Sequence, residues 1–322
     1  RIKFKNGICS GCLNFKERKK INWQQRLSVL KKICNKFRSN NGNFDIIVPA
    51  GGGKDSSYVA WYLKNKLKMN PLCVFCEPPL FTDLGKKNLA NFENSGFSVL
   101  KIHERPIDKK INKLMFKKYG LPQYSWISAI KAVPVRIALL FNIKIIMWGE
   151  EGESMYGGVN KFRHSLNLKP DLIKKFYLEN ISITKFFNKK DLGLNHLNKK
   201  EINSASKIYN CYWSFFEKWD EDMHLKIAKK FCGLKEFKQK EQNAINKHSH
   251  TDQKMFSLHM YLAYLKYGFS RATSDTSIEI RHKRISRTKA LNIVKKYDSV
   301  FPSNYLPDYC KYFKMTKKEI LK

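Results

Sequence analysis

The segment over residues 44–57, FDIIVPAGGGKDSS, constrains the fold more than any other part of the chain. An apolar, β-branched run predicts a buried strand, three glycines predict a tight loop, and Val59, Leu63 and Leu67 repeat at helical spacing. Glycine lets the backbone approach an anion closely, and the unpaired amides of a helix start, together with Lys54, attract negative charge. The spacing fits neither the Walker loop nor the dinucleotide fingerprint. The segment therefore predicts a strand, a phosphate-binding loop of another kind, and a helix.

Apolar runs and helical periodicities alternate through the first half of the chain. Further strands are predicted over residues 71–75, 97–102 and 143–148, and helices over residues 22–37, 82–94, 107–119 and 133–141. This alternation predicts a parallel sheet with right-handed crossovers, whose ligands lie at the carboxyl ends of the strands. From residue 165 onward no strand-like run follows, so we expect a helical region, in which Trp213, Phe216 and Trp219 suggest an aromatic surface for a partner.

Composition narrows the class of protein. The chain has 322 residues, and 62 Lys and Arg against 27 Asp and Glu give it a formal charge of +35. Because the lysines are spread along the whole chain, a solvated surface explains them better than a nucleic-acid site, and the remaining excess favours an anionic substrate or acidic partner. No apolar stretch reaches membrane-spanning length and no signal-like segment is present, so we expect a soluble, cytoplasmic protein without membrane insertion.

Eight cysteines without secretory context predict reduced thiols and leave room for a metal site. Cys9 and Cys12 have the spacing of a zinc half-site in a basic turn flanked by glycine. Cys73 and Cys76 share this spacing, but Cys73 lies in an apolar strand and is predicted to be a buried core thiol. On spacing alone, metal binding by Cys9 and Cys12 is left open.

Four stretches of the chain resemble known families. Residues 51–57 resemble the S-G-G-x-D-S loop of the PP-loop ATP pyrophosphatases, with Gly51 at the position of that family's usual first serine. Residues 146–150, IMWGE, with YGG at 156–158, resemble the W-G-E…Y-G-G motif of the N-acetyl sugar amidotransferases, and residues 70–89 resemble their second strand and helix. Residues 267–275, YGFSRATSD, with Ile280-Arg281 and Ser286-Arg287, resemble their G-x-x-R-A-T-x-D…D-I-R…T-R signature.

The resemblance implies an α/β fold, with a Rossmann-like parallel sheet of the PP-loop (adenine nucleotide alpha hydrolase-like) type, a helical C-terminal region and a small N-terminal Cys motif. The implied divisions are a Cys-x-x-Cys segment and helix over 1–40, a PP-loop ATP pyrophosphatase domain over 41–165, and a helical substrate and partner region over 166–322. The family has a further C-x-x-C upstream of the one at Cys9 and Cys12. Here it would fall before Arg1, and we expect the native start to lie upstream as well.

The resemblance also implies an enzyme of bacterial surface-polysaccharide (lipopolysaccharide) biosynthesis. Such an enzyme uses ATP and Mg²⁺, releases AMP, and turns the acetamido group of a nucleotide-linked N-acetyl sugar into an acetamidino group. Adenylation makes chemical sense because an amide oxygen is a very poor leaving group, and Mg²⁺ offsets charge on the phosphates. The implied partners are the nucleotide-sugar substrate, a separate glutaminase subunit and a cyclase-like barrel subunit, which together supply ammonia.

Roles follow for the residues that match the family motifs. The implied cofactor-binding residues are Ala50, Gly51, Gly52, Gly53, Lys54, Asp55, Ser56, Ser57, Phe75 and Gly149. The implied catalytic residues are Lys54, Asp55, Glu150 and Glu153; the two glutamates either hold the metal or orient the amide, or else form a solvated acidic turn. Arg271 and Arg281 suit a bidentate grip on a diphosphate or uronate, with surface salt bridging as the alternative. Cys9 and Cys12 would bind zinc with ligands that lie upstream.

Two other functions stay open on the sequence. A PP-loop tRNA-modifying enzyme, of the thiolase or lysidine synthetase type, would use the basic charge to bind RNA. The Arg-Ala-Thr signature and the lack of a convincing catalytic cysteine pair argue against it. A non-catalytic scaffold subunit would bind nucleotide only for assembly, and a turnover assay separates it from both enzymes.

Overall fold

The computed structural model describes residues 3–150, 165–167 and 178–322. Its centre is a parallel sheet, preceded by a short antiparallel hairpin of β1 (Phe4–Lys5) and β2 (Ile8–Cys9). The strands of the sheet are β3 (Ile46–Pro49), β4 (Pro71–Cys76), β5 (Ser98–Ile102), β6 (Ile145–Trp148) and β7 (Tyr209–Tyr212). They pair in the order β5-β4-β3-β6-β7, and every neighbouring pair is parallel. This is a doubly wound α/β sheet whose order reverses direction at β3, the strand that precedes the glycine-rich loop.

The helices of the described residues fall into three groups. Before the sheet come α1 (Ser10–Arg18) and α2 (Trp23–Phe37). Between its strands come α3 (Lys54–Asn65), α4 (Asp83–Asn94), α5 (Pro106–Tyr119), α6 (Tyr124–Leu140), α7 (Lys189–Leu192) and α8 (Lys199–Ala205). After β7 come α9 (Glu221–Cys232), α10 (Met255–Tyr267), α11 (Arg271–Arg281), α12 (Arg287–Tyr297), α13 (Leu306–Phe313) and α14 (Lys317–Leu321). Short 3-10 turns cover Ile183–Lys185, Gly193–Asn195, Trp213–Phe215 and Ser303–Tyr305.

The predicted α/β class and parallel sheet are confirmed, and all four predicted strands are present. The reason is visible in β3, whose residues Ile46, Ile47 and Val48 are fully buried because helices cover both faces of the sheet. Ile46 and Val48 pack with α2 and α3, whereas Ile47 packs with α6. The helix predicted over 133–141 begins earlier, at Tyr124, and continues through Pro134.

The expectation of no strand after residue 165 is wrong. Strand β7 pairs in parallel with β6, with Met147 opposite Cys211, and it forms the edge of the sheet. Its sequence, Tyr-Asn-Cys-Tyr, has two tyrosines, which strands favour, but it contains an asparagine, which strands disfavour, and no β-branched residue, so no apolar run marks it. Asn210 is held instead by the side chain of Trp148, whose Nε1 donates to Asn210 Oδ1 at 2.6 Å. The division of the chain at residue 165 stays a prediction.

The predicted aromatic surface is also wrong. Trp213, Phe216 and Trp219 are buried, with exposed fractions of 0%, 1% and 5%. They pack in the same core as Tyr58 on α3, and Trp213 lies edge-on to the Tyr58 ring at 6.0 Å. Their aromatic area covers α3 from outside, so it is not available to a partner.

Two smaller expectations can be checked against the fold. Cys73 is fully buried within β4, as predicted for a core thiol. Across the described residues, the structure has no helix both long and apolar enough to cross a membrane.

A pair of leucines tests where the core lies. Leu63 on α3 is fully buried, whereas Leu140 at the end of α6 is 72% exposed. We expect Leu63→Ala to lower the free energy of unfolding by about 2–5 kcal/mol because it leaves a cavity under α3. Leu140→Ala makes the same chemical change at the surface and should stay within about 0.5 kcal/mol of the parent. Chemical denaturation of both variants measures the difference, and equal losses would contradict this placement of the core.

Candidate phosphate-binding site

The glycine-rich loop joins the end of β3 to the start of α3. Ala50 still belongs to the sheet, because its N–H donates to the Val74 carbonyl at 3.1 Å. Gly53 is the N-cap of α3 and has no side chain to accept from the first-turn amides. Those amides have no partner inside the helix, so together with the helix dipole they form an anion-binding surface.

Two glycines fix this surface by close packing. Gly52 has φ +76°, and a Cβ there would lie 2.7 Å from the backbone carbonyl of Asn88 on α4. A Cβ on Gly149, directly after β6, would lie 2.5 Å from Ser56 Cα. The loop and the first turn of α3 are therefore wedged between α4 and the end of β6, in contacts that only glycine permits.

Gly51, where the resembling family has serine, faces the ring of Phe75. A Cβ at this position would lie 3.2 Å from Phe75 Cδ2. The φ of Gly51 is not positive, so the backbone itself would accept a serine. Phe75 would have to move by a few tenths of an ångström to admit it, and the phenylalanine ring occupies the space that a larger side chain would use.

A cleft of about 220 Å³ opens at the carboxyl ends of the strands, beside the loop. Its lining includes polar or glycine residues, namely Gly51, Gly53, Ser56, Gly149, Glu150 and Asp252. It also includes apolar residues, namely Val74, Phe75, Trp126, Ile130, Pro134 and Trp148. The cleft therefore offers both polar groups and apolar surface beside the loop.

Lys54 and Asp55 open α3 and contact one another. Lys54 Nζ lies 2.6 Å from Asp55 Oδ2 and 3.4 Å from Glu221 Oε2 on α9. Burial lowers the pKa of Lys54, but the charges of Asp55 and Glu221 outweigh it and raise the pKa above its ordinary value. Burial raises the pKa of Asp55, but Lys54 and His224 outweigh it and lower that pKa to about 2. Both side chains are therefore ionised at neutral pH.

Sequence reasoning missed His224 and Glu221, both on α9. His224 Nδ1 lies 2.8 Å from Asp55 Oδ1, and the histidine is fully buried. His224 is 169 positions from Asp55 in the sequence. No sequence motif joins Asp55 to either His224 or Glu221. Their three-residue spacing at the start of an amphipathic helix was the only available signal.

The C-terminal region brings further charged groups to the loop. Arg271 is the first residue of α11, and its Nε lies 2.8 Å from Asp275 Oδ1. Its positive charge is near enough to oppose the raised pKa of Lys54. Burial lowers the pKa of His250 well below its ordinary value, and Arg271 and Lys54 lower it further. Predicted substrate residue Arg271 and predicted phosphate residue Lys54 therefore share one electrostatic environment.

Asp252 lies on the segment that carries His250 and lines the cleft with the loop glycines. Its backbone carbonyl accepts from the Thr82 amide at 2.9 Å, which attaches this segment to the start of α4. Burial raises the pKa of the Asp252 carboxyl to about 6. Sequence reasoning did not select Asp252, since a single aspartate in a polar loop carries no pattern.

The two predicted catalytic glutamates have different outcomes. Glu150 lines the cleft and forms an ion pair with Lys131, whose Nζ lies 3.1 Å from Glu150 Oε2. Lys131 is 3% exposed and lies over the Trp148 ring, 4.0 Å from its centroid. Glu153, like the Tyr156-Gly157-Gly158 motif, lies outside the described residues. A role for Glu150 in holding a metal or an amide stays a prediction.

Arg281 does not lie near Arg271. The two arginines stand at opposite ends of α11, about 15 Å apart along its axis. Arg281 lies beside the N-terminal cysteines, where its guanidinium donates to the Cys12 thiol. The two arginines therefore lie in different environments, and a role for either in binding substrate stays a prediction.

The N-terminal cysteines form a compact pair at the start of α1. The Cys12 amide donates to Cys9 Sγ at 3.4 Å. Burial raises the pKa of the Cys9 thiol, but this amide and the Arg281 charge outweigh it, so the pKa is lowered. Two thiols supply half of a tetrahedral zinc set. Within the parts of the chain that the structure describes, no group of three or more His, Cys, Asp or Glu side chains is placed to hold a metal, and zinc binding stays a prediction.

Together these features define an α/β protein with an anion-binding loop at the point where the strand order of a parallel sheet reverses. Residues 226–322 match the family described as LPS biosynthesis protein WbpG-like, C-terminal domain. Over these residues the chain is similar to the C-terminal domain of the WbpG-like LPS biosynthesis proteins, which confirms the predicted resemblance to this group. Arg271, Arg281, His250 and Asp252 all lie within that domain.

No curated protein matches the chain. Among solved structures, the U34-tRNA thiolase NcsA from Methanococcus maripaludis, with its 4Fe-4S cluster, is 12% identical and has a TM-score of 0.33. That alignment covers 91% of this chain and 81% of the thiolase chain. At this TM-score the similarity carries no argument about fold or activity.

Neighbouring glycines test the loop geometry. Gly52→Ala forces a side chain into a positive φ, at a strain of about 1–3 kcal/mol, and into the Asn88 carbonyl. Gly53→Ala is the matched control, since its φ is −76° and a Cβ there meets nothing within 4 Å. We expect Gly52→Ala to lower the melting temperature clearly and Gly53→Ala to change it little. Added pyrophosphate should raise the melting temperature of the parent more than that of Gly52→Ala. Equal melting temperatures for the two variants would contradict the close packing at Gly52.

Proposed function

We propose that this protein is an ATP-dependent, AMP-forming amidotransferase of surface-polysaccharide biosynthesis. In this proposal it adenylates the acetamido group of a nucleotide-linked N-acetyl sugar and replaces the oxygen with ammonia. The observation that carries the proposal is the glycine-wedged loop at the start of α3, which has Lys54 and Arg271 in one electrostatic environment. The WbpG-like domain over residues 226–322 supports a role in LPS biosynthesis.

The loop suits the β and γ phosphates of ATP. Its amides point out of the helix start, and Lys54 adds a fixed positive charge. The apolar residues that line the cleft suit a nucleobase, which prefers aromatic and aliphatic surfaces; they include Phe75, Trp126, Ile130 and Trp148. If the terminal phosphates lie on the loop, the α-phosphate faces the open cleft, where an acceptor oxygen can attack it. That arrangement releases pyrophosphate and leaves AMP on the acceptor.

Lys54 must change partners for this to occur. In the structure its ammonium faces two carboxylates, Asp55 and Glu221, in place of phosphate. A bound phosphate carries more negative charge than either carboxylate and competes for the same ammonium. Arg271 adds a second cation nearby, so the transfer does not leave the phosphates with a single positive neighbour.

Magnesium fits the residues present. Asp55 is ionised at neutral pH because its pKa is held at about 2, and a carboxylate oxygen is a ligand that Mg²⁺ prefers. Bound Mg²⁺ would offset the charge that develops between the α-phosphate and the leaving pyrophosphate. Asp55 would hold it from the loop side, and Glu150 lines the cleft.

The sugar and the nitrogen source complete the proposal. The nucleotide-linked sugar would enter the same cleft from the side of Asp252 and Arg271, both within the WbpG-like domain. Ammonia would come from a glutaminase subunit through a barrel-shaped partner, because ammonium in solution is a poor nucleophile at neutral pH. The reaction belongs in the cytoplasm, where ATP is available.

Product analysis tests the reaction class. We expect AMP and pyrophosphate from ATP only when an N-acetylated nucleotide sugar and ammonium are both supplied, because the loop leaves the α-phosphate open. Separation of nucleotides by ion exchange, with a pyrophosphate assay, measures both products. ADP and inorganic phosphate would refute the proposal. AMP formation that depends on tRNA in place of the sugar would favour the tRNA-modifying alternative, and no turnover with any acceptor would favour the scaffold.

The nitrogen source gives a second test. With glutamine as the only nitrogen source, we expect the isolated chain to be inactive, and addition of the glutaminase and barrel subunits to restore AMP formation. With ammonium at high pH, the isolated chain should turn over without partners, since more of the ammonium is then free ammonia. Glutamine-dependent turnover by the chain alone would show that the partner proposal is wrong.

A further inference from the structure

We propose that His224 is a positioning residue for Asp55, which it holds in a fixed orientation while Lys54 moves from that carboxylate to the bound phosphate. The proposal rests on the proposed function in one respect, that Asp55 and Lys54 face a bound nucleotide. It assigns a role to a residue that lies outside the loop and two positions before the WbpG-like domain.

Asp55 has two hydrogen-bonding partners, one for each carboxylate oxygen. Oδ2 faces Lys54 Nζ at 2.6 Å, and Oδ1 faces His224 Nδ1 at 2.8 Å. An ionised carboxylate only accepts, so His224 Nδ1 must be the donor in this contact. The pair of contacts defines both the position and the plane of the carboxylate.

The imidazole ring has little freedom to turn away. It stacks on the Tyr58 ring at 4.2 Å with an interplanar angle of 16°, and Trp219 packs edge-on at 4.6 Å. Tyr58 is itself fixed, because its hydroxyl donates to Glu217 Oε2 at 2.8 Å, and Trp213 Nε1 donates to the same oxygen at 2.6 Å. An aromatic clamp with its own anchoring carboxylate therefore holds the donor in place.

The other ring nitrogen has a different environment. His224 Nε2 is buried and has no hydrogen-bonding partner among the described residues. Buried polar atoms are nearly always satisfied, so an unsatisfied one calls for a reason to keep the residue. Packing alone would be served as well by phenylalanine, which has no polar atom to bury. The Nδ1 contact with Asp55 is the one property of His224 that phenylalanine lacks.

The register of α9 couples the two ends of the proposed exchange. Glu221 and His224 are three residues apart and lie on one face of the helix. Glu221 faces Lys54, and His224 faces Asp55. When a phosphate takes Lys54 away, Asp55 loses its Oδ2 partner. His224 still holds Oδ1, so the carboxylate keeps its orientation.

Two variants separate the hydrogen bond from the packing. His224→Phe keeps an aromatic ring against Tyr58 and Trp219 but has no donor. His224→Asn loses the ring, but its amide nitrogen takes roughly the place of Nδ1. Each variant is also made on an Asp55→Ala background. The readout is the affinity for ATP with Mg²⁺, measured by titration calorimetry on the full chain, after circular dichroism has confirmed that each variant is folded.

We expect His224→Phe to weaken ATP binding by about tenfold, the scale seen when a partner of a ligating group is removed. His224→Asn should recover most of that loss. On the Asp55→Ala background, His224→Phe should have no further effect, because the residue acts through Asp55. A purely structural role predicts the reverse order, with the ring-conserving phenylalanine better than asparagine.

Each other outcome overturns the proposal. Equal affinities for His224→Phe and the parent would do so, as would a tenfold loss that persists on the Asp55→Ala background. Variants that fail to fold in both series would show that His224 is needed for stability and not for positioning. Because the readout is ATP binding, failure to form AMP would refute the proposed reaction and leave this test intact. Absence of ATP binding by the parent would overturn both.

Discussion

The contact between α9 and the start of α3 is the interaction on which the site depends. Glu221, Lys54, Asp55 and His224 contact one another in that order, so that each charge has an opposite or hydrogen-bonding neighbour. Buried ions are stable only when they are paired in this way. Two of the four groups come from the loop helix and two from a helix more than 150 positions further along the chain. The phosphate loop is therefore not a self-contained motif, since its charged side chains need the C-terminal half to be folded against them.

The strands and helices of the sheet were predictable because they are buried on both faces. Such strands have continuous apolar runs, as in residues 46–48 and 71–76, and glycines mark the ends of β3 and β6. Strand β7 was missed because an edge strand with Tyr-Asn-Cys-Tyr has no such run and is held by a side-chain hydrogen bond to Trp148. The aromatic residues after it were misplaced for a related reason. Aromatic density alone does not distinguish a surface from the core that covers α3.

Only those residues of the candidate site that follow a strand directly in the sequence could be predicted. The loop glycines, Lys54 and Asp55 stand together in sequence, and the carboxyl-end rule placed Gly149 and Glu150 beside them. His224, Glu221 and Asp252 come from distant segments with no periodicity that points at the loop, so no local pattern could select them. Arg271 and Arg281 show that a shared signature does not place its members together in space. They belong to one signature in the sequence, yet a helix of eleven residues places them at opposite ends, one near Lys54 and the other against Cys12.

The balance of charge at the loop explains how one helix start can be both stable without ligand and ready to bind it. An ammonium alone in this position would face only amide dipoles and Arg271, which repel it. Asp55 and Glu221 offset that repulsion in the absence of nucleotide, and a phosphate can replace them because it offers more charge and more acceptor oxygens to the same group. The carboxylates then need other partners. Glu221, on the first turn of α9, is part-exposed to solvent and near its own helix N-terminus, where negative charge is favoured. Asp55, in the first turn of α3, keeps a direct partner, because the donor on His224 still faces its Oδ1.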